Sequence, residues 1–195
     1  MADIAPGSIN FHRNIENCVV RIVYRVDGDV VKSTLGVVVS VGRGYCDIVA
    51  RNSILEVKKP NRVRVYFPNN DRVRITSSED LGNNIGMFHI LGNDLQVAPM
   101  VLSSQDPLPN ETIYLFTYKS FGRQCAILPP GNVTSIAGCQ LKHDSTTPAE
   151  VDEEDSDGEI LVNARGKLVG IVDEKHRQHA TTSRVIRNAL NKLGG

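Results

Sequence analysis

The chain has 195 residues, of which 41% are hydrophobic and 23% charged, the balance of a folded globular protein with a core of its own. Lysine plus arginine equals aspartate plus glutamate at 22 each, so net charge points to neither a nucleic-acid nor a membrane partner. No stretch approaches the roughly 18 apolar residues of a membrane span. MADIAPGSINFHRN lacks the apolar core of a secretory leader, so a cytoplasmic or nuclear protein is expected.

In chain order, CVVRIVYRV, TLGVVVSVG and YCDIVA are short runs rich in valine and isoleucine, split by Asp27-Gly28 and by Gly42-Arg43-Gly44. They read as strands and tight turns. RVRVYFPNNDRVRI alternates basic and apolar residues about Pro68-Asn69-Asn70-Asp71, which predicts a hairpin with one wet face. IGMFHIL, TIYLFTY, QCAILP and GNVTSIAG continue the β pattern. The first clear helix is the last element, where Thr182 or Ser183 can cap a run with Val185, Ile186, Ala189, Leu190 and Leu193 at helical spacing. The stretch from Lys142 to Asp157 reads as a long acidic surface loop. Cys18, Cys46, Cys125 and Cys139 are widely spaced and read as free thiols rather than as disulfides or a zinc site.

Taken in this order, the runs resemble the protease domain of the HtrA and trypsin-like serine proteases. IENCVVRI is similar to that family's opening strand and STLGVVVSVGRGY to its G-x-G-F-V-V hairpin. VRVYFPNNDRVRI, NIGMFHI and VAPMVLS follow the order of its V-x-V-x-L hairpin, D-L-A-L-L-K-I strand and L-P-L-G-x-S segment. GNVTSIAG is similar to its G-x-V-S-x-I turn, and DGEILVNARGKLVGI resembles the S-G-G-P-L-V-N-x-x-G-x-V-I-G-I run that carries the nucleophile. The resemblance implies an all-β fold of two orthogonally packed six-stranded antiparallel barrels with a C-terminal helix. It divides the chain into an arm over 1–14 and a trypsin-like domain over 15–193, with barrels at about 15–95 and 96–180 and a helix at about 182–193. It implies no cofactor, and it leaves no room after the helix for an appended peptide-binding domain.

A serine protease needs a nucleophilic hydroxyl, an imidazole to take its proton and a carboxylate to orient the imidazole. In IVARNSIL the resemblance places Ser53 at the histidine position, and in NIGMFHI it places Asn84 at the aspartate position. Aligned without gaps, Asp157 stands at the nucleophile; with one insertion Ser156 does. Asp155 or Glu154 then falls where a glycine shapes the oxyanion hole, the wrong sign of charge to stabilise an oxyanion. The expectation is therefore a pseudoenzyme, a protein-binding or regulatory domain that docks a partner peptide in the former substrate cleft or at the acidic loop through Asp155, Asp157 and Glu159. Homo-oligomers fit that reading too.

Two alternatives stand beside it. One is a rewired hydrolase using Ser156, with His143 the nearest of the histidines His12, His89, His143, His176 and His179 in sequence. The other is nucleic-acid or anion binding through the hairpin over 58–74, where Arg62, Arg64, Arg72 and Arg74 join Lys58, Lys59 and Tyr66. A charged outer face of an ordinary hairpin accounts for the same arginines. Glu153, Asp155, Asp157 and Gly158 match the start of a calcium loop, but Ala164 replaces its closing glutamate, so no metal is expected.

Overall fold

The computed structural model describes residues 5–6, 8–25, 31–56, 63–69, 71–92, 95–119, 124–145, 159–173 and 176–194. Helix α1 (Ile9–Glu16) leads into strands β1 (Val19–Arg25), β2 (Val31–Gly42) and β3 (Tyr45–Arg51). A 3-10 turn (Asn52–Glu56) follows, then β4 (Arg64–Tyr66), β5 (Arg72–Val73), β6 (Ser77–Gly82) and β7 (Ile85–Leu91). The second half holds β8 (Thr112–Lys119), β9 (Gln124–Ile127), β10 (Gly131–Ala137) and β11 (Gln140–His143). It ends with β12 (Ile160–Asn163), β13 (Leu168–Val172), β14 (His179–Thr182) and α2 (Ser183–Leu193).

The strands form two seven-stranded sheets, ordered β5-β4-β1-β2-β3-β7-β6 and β10-β11-β14-β13-β12-β8-β9. In the second, β10 also pairs with β8, so six of its strands close into a barrel. The first sheet stays open and curves into a half-barrel, so the expected all-β fold of two packed barrels stands with one of them closed.

Strand alternation builds three cores. In β2, Gly36 and Val38 face the hollow of the first sheet with Ile22, Ile48 and Phe88, while Leu35 and Val37 face the second sheet. This two-sided burial explains why β2 reads as a continuous apolar run. The second barrel is filled by Ile113, Leu115, Val133, Leu141, Leu161 and Val169. Between the sheets lies a shared core of Leu35, Val37, Val49 and Ile85 against Phe116, Ile160, Val162, Leu168 and Ile171.

Helix α1 was not expected, because its sequence shows only one apolar pair at helical spacing. Ser8 caps it, accepting from the Phe11 N–H at 3.1 Å, and Phe11 and Ile15, one turn apart, insert into the core between the sheets. Burying each side chain contributes on the order of 2 kcal/mol. The terminal helix is where the sequence placed it, with Thr182 at the N-cap position, but Thr182 makes no side-chain cap bond. The Ser183 hydroxyl donates instead to the Ser103 carbonyl at 3.1 Å, tying α2 to the segment that crosses between the sheets. Cys18, Cys46 and Cys139 are free, and among the described residues no helix is long and apolar enough to cross a membrane.

Candidate functional site

The open sheet and the closed barrel meet where β3 ends. Ser53 lies in the 3-10 turn that leaves β3, and Asn84 lies in the hairpin turn between β6 and β7. The Asn52 N–H donates to the Asn84 carbonyl at 3.0 Å, so the backbones carrying these two positions are joined. The third position, Ser156 or Asp157, lies outside the described residues, as do Asp155 and Arg62.

Asn84 has a conformational reason for its identity. Gly82 pairs with Ile85, leaving a two-residue loop in which Asn83 and Asn84 have φ of 53° and 61°. A two-residue hairpin of this hand needs left-handed backbone at both central residues, and asparagine tolerates it better than most. Nearby, Asp80 supplies a carboxylate that the sequence did not single out. Its Oδ1 accepts from the Gly82 N–H at 2.9 Å and from Asn52 Nδ2 at 3.4 Å. A pattern of D-x-G-N-N before a strand is the only signal that could have found it, and that signal speaks of a turn.

Arg51, at the end of β3, was also not singled out from sequence. It is only 2% exposed, and it reaches from the first sheet into the second. Its Nε donates to the Val172 carbonyl at 2.5 Å and Nη1 to Thr181 Oγ1 at 3.2 Å, while Nη2 donates to the Ile171 carbonyl. The Thr181 hydroxyl in turn donates to the Asn83 carbonyl at 3.2 Å. A buried cation is tolerable only when its donors are met, and here carbonyls at the end of β13 meet them. Arg51 is thus a strut that fixes the ends of β13 and β14 against the turn carrying Asn84.

On the barrel side, two expectations need correction. Glu159 was placed in a solvated acidic loop; it is 2% exposed, and its carbonyl accepts from the Val172 N–H at 2.9 Å. His143 was also placed in that loop; it closes β11, paired with Val133, and is 2% exposed. Pairing with a core residue turns its ring toward the barrel interior. Among the described residues the buried hydroxyls of Ser145 and Thr117 have no hydrogen-bond partner. Burial holds the imidazole below its ordinary pKa, while the Arg177 backbone and the Asp144 carboxylate pull the other way. Ser145 packs on bare backbone, since a Cβ added at Gly131 would stand 2.2 Å from its hydroxyl.

His179, on the neighbouring strand β14, adds to the lowering of the His143 pKa, and its ring lies 5.7 Å from that of His176. His89 is on the outer face of the first sheet, its Nδ1 2.5 Å from Asp47 Oδ1 and its ring stacked 5.5 Å from that of Tyr45. Arg64, Arg72 and Arg74 lie on and beside β4 and β5, at the far edge of the same sheet from β7. Among the described residues no group of three or more histidine, cysteine, aspartate or glutamate side chains is placed to hold a metal ion.

No protein-family model matches this chain, and no curated protein matches it in sequence. Solved structures do match. A serine endoprotease from Yersinia pestis superposes with a TM-score of 0.68 at 17% identity, over 97% of this chain and 68% of that one. The Rv3671c protease from M. tuberculosis in its active form gives 0.68 at 14% identity, over 96% and 88%. Deg5 gives 0.69 at 15% identity, over 92% and 90%.

These likenesses overturn the expectation that the chain is no enzyme. The fold it shares is that of proteases, one of them in an active form, so the architecture gives no ground for calling the chain inactive. The altered residues are weaker grounds for inactivity than they look, because Asn84 answers to a turn and the nucleophile stretch lies outside the described residues. Two sheets, one closed and one open, share an apolar core and are followed by a terminal helix: this chain has the fold of the HtrA and trypsin-like serine proteases.

Proposed function

We propose that the chain engages an extended polypeptide segment along the seam between its two sheets. One observation carries the reading: Arg51 and Thr181 lock the end of β13 to the turns bearing Ser53 and Asn84, so backbone from both sheets is held in one fixed arrangement. A site set on rigid elements orients a flexible peptide at lower entropic cost. The acidic run with Asp155 and Asp157 follows β11 in sequence and would favour segments carrying positive charge. A pool of extended peptides bearing a benzophenone group tests this by cross-linking and mass spectrometry. Adducts are expected at 52–56, 83–84 and 173, favouring basic peptides, and adducts confined to other surfaces would overturn the reading.

A second reading is hydrolysis through Ser156, favoured by the state of His143. Burial lowers the pKa of its ring and so favours the neutral imidazole, the form that accepts a proton. In this reading the Ser156 hydroxyl attacks an acyl carbon and passes its proton to His143, which returns it to the leaving group. A serine-directed fluorophosphonate is expected to label the protein once, with labelling lost in Ser156→Ala and slowed in His143→Gln. No labelling of the folded protein would remove this reading while leaving peptide engagement open.

A further inference from the structure

The outer face of the first sheet gathers arginines that are scattered in the chain. In β1, Val20, Ile22 and Tyr24 point into the core, so Arg21, Val23 and Arg25 point out. In and beside β4, Val63, Val65 and Phe67 are buried, so Arg64 and Tyr66 point out. Pairing sets Arg21 opposite Tyr66 and Tyr66 opposite Arg72, with Val23 opposite Arg64. Alternation from Arg72 brings Arg74 to the same face.

The structure therefore assembles Arg21, Arg25, Arg64, Arg72 and Arg74 around one tyrosine, across three neighbouring strands. The Arg21 guanidinium lies 5.8 Å from the centre of the Tyr66 ring. Arg25, Arg72 and Arg74 are exposed, and the ion pairs among the described residues involve none of them. Asp71, in the adjoining turn, is engaged by Asn69 Nδ2 at 2.7 Å. Overall charge neutrality hides this concentration, because acidic residues lie elsewhere in the chain, six of the 22 in the run from Asp152 to Glu159.

We propose that this face binds the phosphate backbone of a single-stranded nucleic acid. Every cation in the cluster is an arginine, whose planar fork matches phosphate oxygens two at a time, where a lysine offers a point charge. Arginines two apart on a strand stand about 7 Å from each other, and neighbouring strands about 5 Å, a grid a flexible phosphodiester chain can follow. Tyr66, with a guanidinium laid against it, widens the flat surface on which a base can stack. An acidic peptide is the competing ligand. It would gain affinity by adding a strand at the sheet edge, but the edge strand β5 is only two residues long and offers almost no ladder.

Fluorescence anisotropy of a labelled oligouridylate across a salt series, with polyglutamate as competitor, tests the proposal. Binding is expected at about 50 mM salt, weakening with log salt at a slope of about −0.7 per phosphate neutralised. The exposed pair Arg72→Gln/Arg74→Gln should reduce affinity about tenfold or more and flatten the slope by one to two phosphate contacts. Tyr66→Leu should weaken binding about tenfold with the slope unchanged, in a protein whose thermal melt shows it folded. No binding at low salt, a slope indifferent to the arginine pair, or polyglutamate competing as well as unlabelled oligouridylate would each overturn the proposal.

Discussion

The two sheets bring different kinds of residue to the seam between them. On the open sheet Arg51 reaches across the seam, and the other polar groups named there serve the local backbone. Asn83 and Asn84 hold left-handed turn positions, and Asp80 accepts from a backbone N–H. On the closed barrel His143 buries its imidazole, and Ser145 and Thr117 bury hydroxyls that have no hydrogen-bond partner among the described residues. Buried polar groups are costly unless satisfied, so a fold rarely keeps three of them for its own stability. The contrast teaches where chemistry is to be sought. Residues that look altered on the open side are explained by geometry, whereas the unexplained ones stand on the barrel side.

The largest expected effect joins the two sides. Arg51→Ala strands the carbonyls of Ile171 and Val172 in a buried seam and should cost about 3 kcal/mol in urea denaturation. A loss below about 1 kcal/mol would mean that the sheets are held without the strut, and the contrast would lose its hinge.

His143 sharpens the barrel side through pH. Its folded pKa lies below the unfolded value near 6.5, so the native state binds fewer protons and stability must fall as pH drops through that value. His143→Leu should flatten this acid limb and change stability by no more than about 1 kcal/mol at neutral pH, since it replaces a buried polar ring at similar volume. A variant destabilised by several kcal/mol, with the acid limb intact, would show that the ring is already satisfied.

Asn84 tests the open side more gently. Asn84→Gly should leave stability within a few tenths of a kcal/mol, and Asn84→Ala should cost about 1 kcal/mol for left-handed backbone. Equal stability of all three proteins would remove the turn as the reason for the asparagine. The smallest effect concerns reactivity. Burial raises the Cys46 thiol to about 11, helped by the neighbouring Asp47 charge, so iodoacetamide at mildly alkaline pH should modify it only after unfolding.

Much of the fold was legible in the chain. Valine-rich runs between turn residues gave the strand order, and the apolar spacing from Val185 to Leu193 located the terminal helix. Helix α1 escaped because Phe11 and Ile15 are too few to announce a helix, and they become decisive only when two sheets close over them. The site was legible as a set of positions rather than as chemistry. Ser53 and Asn84 do lie on adjoining turns, but Arg51, Asp80 and the burial of His143 and Glu159 depend on contacts between segments remote in sequence.

What the sequence determined by itself is local: alternation that makes strands, asparagines that permit a tight hairpin, a serine that caps a helix. Tertiary structure alone decided which strand ends face one another and which side chains lose their water. Closing six strands of one sheet buried His143 inside a barrel, and leaving the other open let Arg21 and Arg25 line up with Arg64 and Arg72. Charge and hydrogen-bonding capacity belong to single residues, but their energetic consequences depend on neighbours and solvent exposure, which only the folded chain supplies.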